Sequence, residues 1–140
     1  MNQSILYPED IIKAHKRIHE TIDFGFVGDV DTINKNLIHS LISNGMKLVV
    51  APITHDKQGQ LLNTNADTIA QSIAVAMADQ YKVHLIYAFE QEGVLFDIQD
   101  PSSVVVNMDQ TMYDRLKAEK RIFDGMLPKI DNAFLALAGG

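Results

Sequence analysis

The stretch Leu61-Leu62-Asn63-Thr64-Asn65-Ala66-Asp67-Thr68 places a polar loop directly before residues 69–78, which are apolar or small apart from Gln71 and Ser72. Apolar residues recur there at helical spacing without Gly or Pro, which predicts a helix. Asn65 is a candidate N-cap, so Asp67 falls in the first helical turn. Backbone N–H groups and the positive dipole end favour an anion at this point. The loop therefore suits a small polar substrate; the alternative is a well-capped helix with a polar leading loop and no ligand.

The composition is that of one globular domain that can bury a core. The chain has 140 residues, of which 46% are hydrophobic and 21% charged. Its net charge of −6, with no basic stripe, argues against a nucleic-acid partner. It contains no cysteine, which excludes disulfides, thiol catalysis and cysteine metal sites. No apolar run is long enough to span a membrane and no signal peptide is recognisable, so we predict a cytoplasmic protein.

Working outward from the opening stretch, apolar runs alternate with helical stripes. Residues 24–30, 47–53 and 83–89 predict strands, and the last two are nearly continuous apolar runs, typical of strands covered on both faces. Asp31 is expected to cap a helix over 32–44 that Gly45 ends. A further helix is predicted over 110–120.

The first 23 residues are less distinctive. Alternation around Ile12 and Ala14 favours a strand, while Pro8-Glu9-Asp10 is compatible with the start of a helix. His15 and His19 are four residues apart, but no carboxylate or third histidine completes a metal-binding pattern. We therefore predict surface histidines and no metal site formed by protein side chains.

The last predicted helix begins near Pro128 and runs to Ala138, with Lys129 in its first turn. A lysine at a helix N-terminus opposes the helix dipole. Residues that break local preferences concentrate at functional sites, so Lys129 is a candidate site residue; a solvated surface lysine is the alternative.

The order strand, helix, strand, helix, strand, helix, helix predicts an α/β fold, a three-layer sandwich with a mainly parallel sheet. Ligands of such sheets bind beyond the C-terminal ends of the strands. The loops expected there begin at Thr54 and at Glu90, together with the approach to Lys129.

Several motifs resemble those of one known family. The run from Asn63 to Asp67 is similar to the N-x-N-A-D motif of acetylglutamate kinases, which belong to the amino-acid kinase family. The run from Gly125 to Lys129 resembles that family's G-M-x-x-K motif, and 26–30 resembles its G-x-V-G strand. The segments 51–53 and 93–95 fall in the family order.

The resemblance implies phosphoryl transfer from ATP, with Mg²⁺, to the side-chain carboxylate of an N-acyl-L-glutamate in arginine synthesis. It implies catalytic roles for Asp67, which would orient lysines, and for Lys129, which would neutralise the transferring phosphate. Substrate contacts would come from Asn63 and Asn65. The implied nucleotide contacts are Glu90, Gly93, Leu95, Arg121, Phe123, Gly125 and Met126. Such chemistry depends on positioning and positive charge more than on covalent catalysis.

The sequence also departs from the family pattern. Phe89-Glu90 stands where many members have a small hydroxyl residue and Asp. Family members are longer, with a strand carrying Lys and Gly-Gly and a second glycine-rich loop, whereas the only Gly-Gly here is Gly139-Gly140. The resemblance therefore describes an apparently incomplete, nucleotide-side portion over 31–140, with a hairpin-like segment of the acyl-amino-acid side over 1–30.

Three functions follow as hypotheses. The chain is the nucleotide side of an acetylglutamate kinase-like enzyme and is inactive alone. Alternatively, it is a non-catalytic kinase remnant that acts as a binding or assembly module, as a homo-oligomer or paired with a missing N-terminal half, because an incomplete sheet exposes edges and apolar faces. The third hypothesis is a nucleotide sensor.

Overall fold

The computed structural model describes residues 3–5, 25–122 and 124–140. In chain order its elements are β1 (Gln3–Ile5), β2 (Gly28–Val30), α1 (Lys35–Ser43), β3 (Ile53–His55), β4 (Leu61–Asn63), α2 (Ala66–Met77), α3 (Gln110–Ala118), a 3-10 turn (Asp124–Met126) and α4 (Leu127–Gly139). The strand predicted near Ile12, the two histidines at 15 and 19, Phe24 and Phe123 lie outside the described residues. Within those residues, none of the helices combines the length and apolar character needed to cross a membrane.

The strands form two small antiparallel sheets. β1 pairs with β2, with Ser4 opposite Asp29, and β3 pairs with β4, with Thr54 opposite Leu62. A parallel bridge joins Val27 to Asn63. The α/β class is therefore confirmed, but the described residues do not form the mainly parallel, three-layer arrangement, so that part of the prediction is not confirmed.

The prediction of buried strands over 47–53 and 83–89 is wrong for the described structure. Only Ile53 of the first run belongs to a strand, and none of the second run does. Several of their side chains are open to solvent: Val49 is 99% exposed and Ile86 is 82% exposed. An aliphatic run favours burial in a sheet, but a strand also needs a neighbour for its backbone hydrogen bonds, and the described residues supply none.

The start of α1 also differs from the prediction. The cap is Asn34, whose side-chain oxygen accepts a hydrogen bond from the backbone N–H of Leu37 at 3.1 Å, so the helix begins at Lys35 rather than Thr32. Its predicted end is observed: Gly45 follows the helix with φ of +77°, a conformation that favours glycine.

Helices α2 and α4 lie side by side and point in the same direction. Asp67 and Lys129 in their first turns are in contact, and their last turns also touch. A Cβ on Gly139 would lie 2.9 Å from Val75, and one on Gly140 would lie 2.5 Å from Ala78. The two glycines thus permit a closeness that larger residues would prevent. This packing aligns the N-termini of the two helices.

The best-buried core lies between α3 and α4. It consists of Tyr113, Leu116, Ile122 and Ile130, with the Tyr113 ring stacked on Phe134 at a centroid distance of 5.4 Å. Met126, directly before α4, packs against this core.

A polar contact closes the edge of this core. The Tyr113 hydroxyl donates to Asp131 Oδ1 at 2.6 Å, and Lys117 Nζ lies 3.1 Å from the same atom. Partial burial opposes ionisation of Asp131, but the hydrogen bonds from Tyr113 and Lys117 and the ammonium charge outweigh it, so the pKa of this carboxyl lies below its ordinary value.

We expect Asp131→Asn to lower the free energy of unfolding at pH 7 by about 1 kcal/mol, because a neutral amide accepts these bonds less strongly. Since the folded pKa lies below the ordinary 3.8, the stabilisation is complete above that value and is lost as the pH falls through the folded pKa. Urea denaturation between pH 7 and pH 3 measures this. The same loss in a Tyr113→Phe background would contradict the assignment, because that variant already lacks the phenolic donor.

Candidate functional site

The loop before α2 is held in place from both sides. Asn65 caps the helix, and its side-chain oxygen accepts hydrogen bonds from the backbone N–H groups of Asp67 at 2.8 Å and Thr68 at 3.2 Å. The buried hydroxyls of Thr54 and Thr64 lie 2.6 Å apart and join this loop to β3. The cap predicted from sequence is therefore observed, whereas the threonine pair was not predicted.

Asp67 and Lys129, 62 positions apart in the chain, meet at the aligned helix N-termini. Lys129 Nζ lies 2.7 Å from Asp67 Oδ2, and the two side chains are 28% and 20% exposed, respectively. The carboxylate of Asp67 lies in the first turn of α2, where the helix dipole stabilises a negative charge. The ammonium group of Lys129 lies in the first turn of α4, where the helix dipole destabilises a positive charge, and the carboxylate compensates this cost. An ammonium group has three donors, so Lys129 can bind Asp67 and a second anion together.

Tyr87 supports this pair from the neighbouring run. Its hydroxyl donates to the backbone oxygen of Asp67 at 3.4 Å, and its ring centroid lies 6.0 Å from Lys129 Nζ. Burial, and then the negative charge of Asp67, raise the pKa of this phenol above its ordinary value, so it stays protonated and can donate. Sequence reasoning missed Tyr87; the only signal was a hydroxyl-bearing ring within a largely apolar run.

Most of the residues implied as nucleotide contacts line one cavity of about 320 Å³. Phe123 lies outside the described residues. The cavity-lining members of the set are Glu90, Gly93, Leu95, Arg121, Gly125 and Met126. A cavity of this size and largely apolar lining, with one cation and one carboxylate, can hold a planar base and its sugar.

The loop at one wall of this cavity is braced by a short hairpin. Val105 N–H donates to Val94 O at 2.7 Å, and Phe96 N–H donates to Ser103 O at 2.9 Å. A Cβ on Gly93 would lie 2.9 Å from Val104, so glycine permits the close approach of the two segments. The turn at 100–103 thus connects the two sides of this hairpin.

A second, smaller cavity of about 230 Å³ adjoins the first and contains Lys129 and Tyr87. Phe89, Val94 and Met126 line both cavities. The ammonium group therefore lies next to the larger cavity.

Asn63 is the remaining implied substrate contact. It ends β4, and its backbone N–H donates to Phe26 O at 2.8 Å. Its exposed side-chain amide makes no hydrogen bond to another described residue, whereas the side-chain oxygen of Asn65 is occupied by the helix cap. Of the two amides, Asn63 has the greater capacity to bind a ligand.

The described residues offer no group of three or more His, Asp or Glu side chains that could hold a metal ion.

Comparison with known proteins agrees with the motifs. Residues 4–140 match the model of the amino acid kinase family. The acetylglutamate kinase of Parabacteroides distasonis is 44% identical over 131 residues, which are 94% of this chain and 51% of the relative. That of Cytophaga hutchinsonii is 42% identical over 130 residues, and that of Methanosarcina barkeri is 36% identical over 123 residues, covering 37% of its length. The chain spans about half the length of the bacterial relatives it matches.

Proposed function

Because the chain belongs to the amino acid kinase family, we propose that it forms the nucleotide-side part of an ATP-dependent kinase acting on the side-chain carboxylate of an N-acyl-L-glutamate. The observation that carries the proposal is the Asp67–Lys129 pair at two helix N-termini, beside a cavity lined by six of the implied nucleotide contacts. The relatives named acetylglutamate kinase favour an acetyl group over a succinyl group and a place in amino-acid biosynthesis.

The reaction requires little of the protein besides position and charge. A carboxylate oxygen of the acceptor attacks the γ-phosphorus, the bond to the bridging oxygen breaks, and an acyl phosphate and ADP result. No general base is needed, because the acceptor carboxylate is already ionised at neutral pH.

Each site residue then has one role. Lys129 donates to the oxygens of the transferring phosphoryl group, and Asp67 holds that ammonium in place. Asn63 binds the acylated amino acid and Asn65 fixes the loop, while the Arg121 side of the cavity binds the nucleotide. Mg²⁺ bound together with ATP would neutralise part of the phosphate charge.

The chain alone is expected to bind nucleotide but to turn over little, because the sequence lacks the glycine-rich phosphate cradle seen in the family. The first test is isothermal titration of the chain with ATP and Mg²⁺, where we expect a dissociation constant below about 1 mM. No heat at millimolar ATP would refute the nucleotide site. Rapid acyl-phosphate formation from N-acetyl-L-glutamate by the chain alone would refute the expected inactivity.

Arg121→Glu is expected to weaken ATP binding at least about tenfold, because it removes a cation from the cavity wall and adds an anion beside the phosphates. The matched control is Arg115→Glu, the same charge change on α3, at a residue that does not line the cavity. Equal weakening by both variants would assign the effect to net charge rather than to the cavity.

A non-catalytic assembly module is the second candidate, favoured by the exposed runs 47–53 and 83–89. The two functions predict different outcomes in an assay of acyl-phosphate formation. An assembled complex that binds ATP but forms no acyl phosphate from N-acetyl- or N-succinyl-L-glutamate would favour the module. The division into an acyl-side segment 1–30 and a nucleotide-side portion 31–140, and the cytoplasmic location, remain predictions.

A further inference from the structure

The run 83–89 places Tyr87 against the ion pair of the candidate site. Exposure alternates along this run: the residues at 85, 87 and 89 are partly buried, and those at 84, 86 and 88 are exposed. The other two partly buried residues are Leu85 and Phe89, whose side chains carry no polar atom. Packing alone therefore does not require a phenol at position 87.

Two contacts join Tyr87 to the pair. Its hydroxyl donates to the backbone oxygen of Asp67 at 3.4 Å, which is long for a hydrogen bond from a hydroxyl group. Lys129 Nζ lies over the ring, 6.0 Å from its centroid, a distance at which a cation is still attracted to an aromatic face. The ammonium group thus has a carboxylate oxygen at 2.7 Å and an aromatic ring as its second neighbour.

A second cluster of the same three residue types shows what is particular about Tyr87. Tyr113 donates directly to Asp131 Oδ1 at 2.6 Å, and Lys117 Nζ lies 3.1 Å from that same atom, so phenol and ammonium share one carboxylate oxygen. Tyr87 donates to a backbone oxygen instead, and it does not compete with the ammonium group for the carboxylate of Asp67. Its ring can therefore restrict the lysine without weakening the ion pair.

The protonation state of Tyr87 suits this arrangement. Burial, and then the charge of Asp67, raise the pKa of the phenol above its ordinary value, so the group is neutral at neutral pH. A neutral phenol adds no second anion beside the carboxylate. The ammonium group therefore keeps donors for an incoming anion, and that anion meets no additional repulsion.

We propose that Tyr87 is a positioning residue for the phosphoryl transfer: its ring holds the ammonium group of Lys129 where one donor binds Asp67 and another faces the transferring phosphoryl group. This role rests on the proposed function. A lysine stem is flexible, so the ion pair alone leaves the ammonium group several positions. Displacing a catalytic group by about 1 Å can lower a rate about 100-fold, which is why a neighbouring ring affects catalysis without touching the reacting atoms.

Three variants separate the hydroxyl, the ring and simple packing. Tyr87→Phe removes only the hydroxyl, whereas Tyr87→Leu removes the ring as well and leaves the residue type found at position 85. Tyr81→Leu is the matched control. Tyr81 is also partly buried and its hydroxyl lies 2.7 Å from His39 Nδ1, but it follows the C-terminal end of α2, away from the pair. Tyr87→Met replaces the leucine variant if urea denaturation shows that variant to be unfolded.

The first readout needs neither ATP nor activity. The chain alone is treated with N-hydroxysuccinimidyl acetate, and acetylation of each lysine is followed by mass spectrometry. We expect Tyr87→Leu to raise the acetylation rate of Lys129 relative to Lys117 at least about threefold, because an amine without the ring contact is more mobile and reaches the reagent more often. Tyr87→Phe and Tyr81→Leu should leave that ratio within about a factor of two, since both keep the ring beside Lys129.

The second readout is acyl-phosphate formation. The chain is combined with the unmatched part of the Parabacteroides distasonis acetylglutamate kinase, expressed as a separate polypeptide; this part is the portion of that relative outside the residues that match the chain. We expect Tyr87→Leu to lower kcat about tenfold with little change in the KM for ATP, because the ammonium group acts on the transferring group. Tyr87→Phe should restore kcat to within about threefold of the unmodified chain, since the ring is kept.

The two readouts distinguish failure of this proposal from failure of the proposed function. An unchanged labelling ratio, or an unchanged kcat, in Tyr87→Leu relative to Tyr81→Leu would overturn the positioning role. Faster labelling of Lys129 in Tyr87→Leu, together with no acyl phosphate from the unmodified combination, would refute the kinase function and support the effect of the ring on the lysine.

Discussion

Replacing Lys129 by methionine is expected to lower the rate of acyl-phosphate formation about 10²- to 10³-fold, the usual cost of losing one preorganised donor to a developing charge. The assay is the chain combined with the unmatched part of the Parabacteroides relative, with the product trapped as a hydroxamate. Methionine keeps the length and most of the apolar stem of lysine. The KM for ATP should change less than kcat, because the ammonium acts on the transferring group.

Lys117→Met is the matched control for this prediction. Lys117 also carries an ion pair with an aspartate, Asp131, but it lies on α3 away from both cavities. Its substitution should leave the rate within a factor of two. Asp67→Asn should lower kcat about tenfold or more, because the ammonium loses its anchor. Equal rates for the Lys117 and Lys129 variants would remove Lys129 from the mechanism.

The second large effect is on stability. Leu116→Ala is expected to cost about 2–5 kcal/mol in free energy of unfolding, since the side chain is 1% exposed and lies in the core between α3 and α4. Ile122 belongs to the same core and also lines the cavity that contains Glu90 and Arg121, so under the proposed function weaker ATP binding should accompany the loss of stability.

Urea denaturation at pH 7 measures the cost, and titration calorimetry measures ATP binding. Leu135→Ala removes the same atoms from α4, where the side chain is 58% exposed, and should change stability by less than about 0.5 kcal/mol. A Leu116 variant as stable as the Leu135 variant would show that this cluster is not the core that supports the cavity.

Sequence patterns predicted correctly those features that depend only on neighbouring residues. The cap at Asn65, the first-turn positions of Asp67 and Lys129, and Gly45 after α1 each depend on a few neighbouring residues, and all were predicted correctly. The start of α1 was predicted wrongly because Asp31 and Asn34 are both good caps, and only the observed backbone selects Asn34.

The aliphatic runs show a different limit. The apolar composition of 47–53 and 83–89 indicates that these residues favour burial in a sheet. It does not indicate which strand pairs with them. Among the described residues no strand does, so the predicted strands are exposed runs flanking a groove. Pairing is a property of two segments, and an inference from one segment cannot supply the other.

By itself the sequence determined that the helices form, the cap at Asn65, the motif residues and the family, because these depend on short-range spacing or on matching residues. Only the tertiary structure brought Asp67 to 2.7 Å from Lys129 and set Tyr87 beside them. The cause is the close packing of α2 on α4, which Gly139 and Gly140 permit against Val75 and Ala78 and which aligns two helix N-termini far apart in the chain. Such an arrangement depends on long-range contacts, which local spacing does not specify.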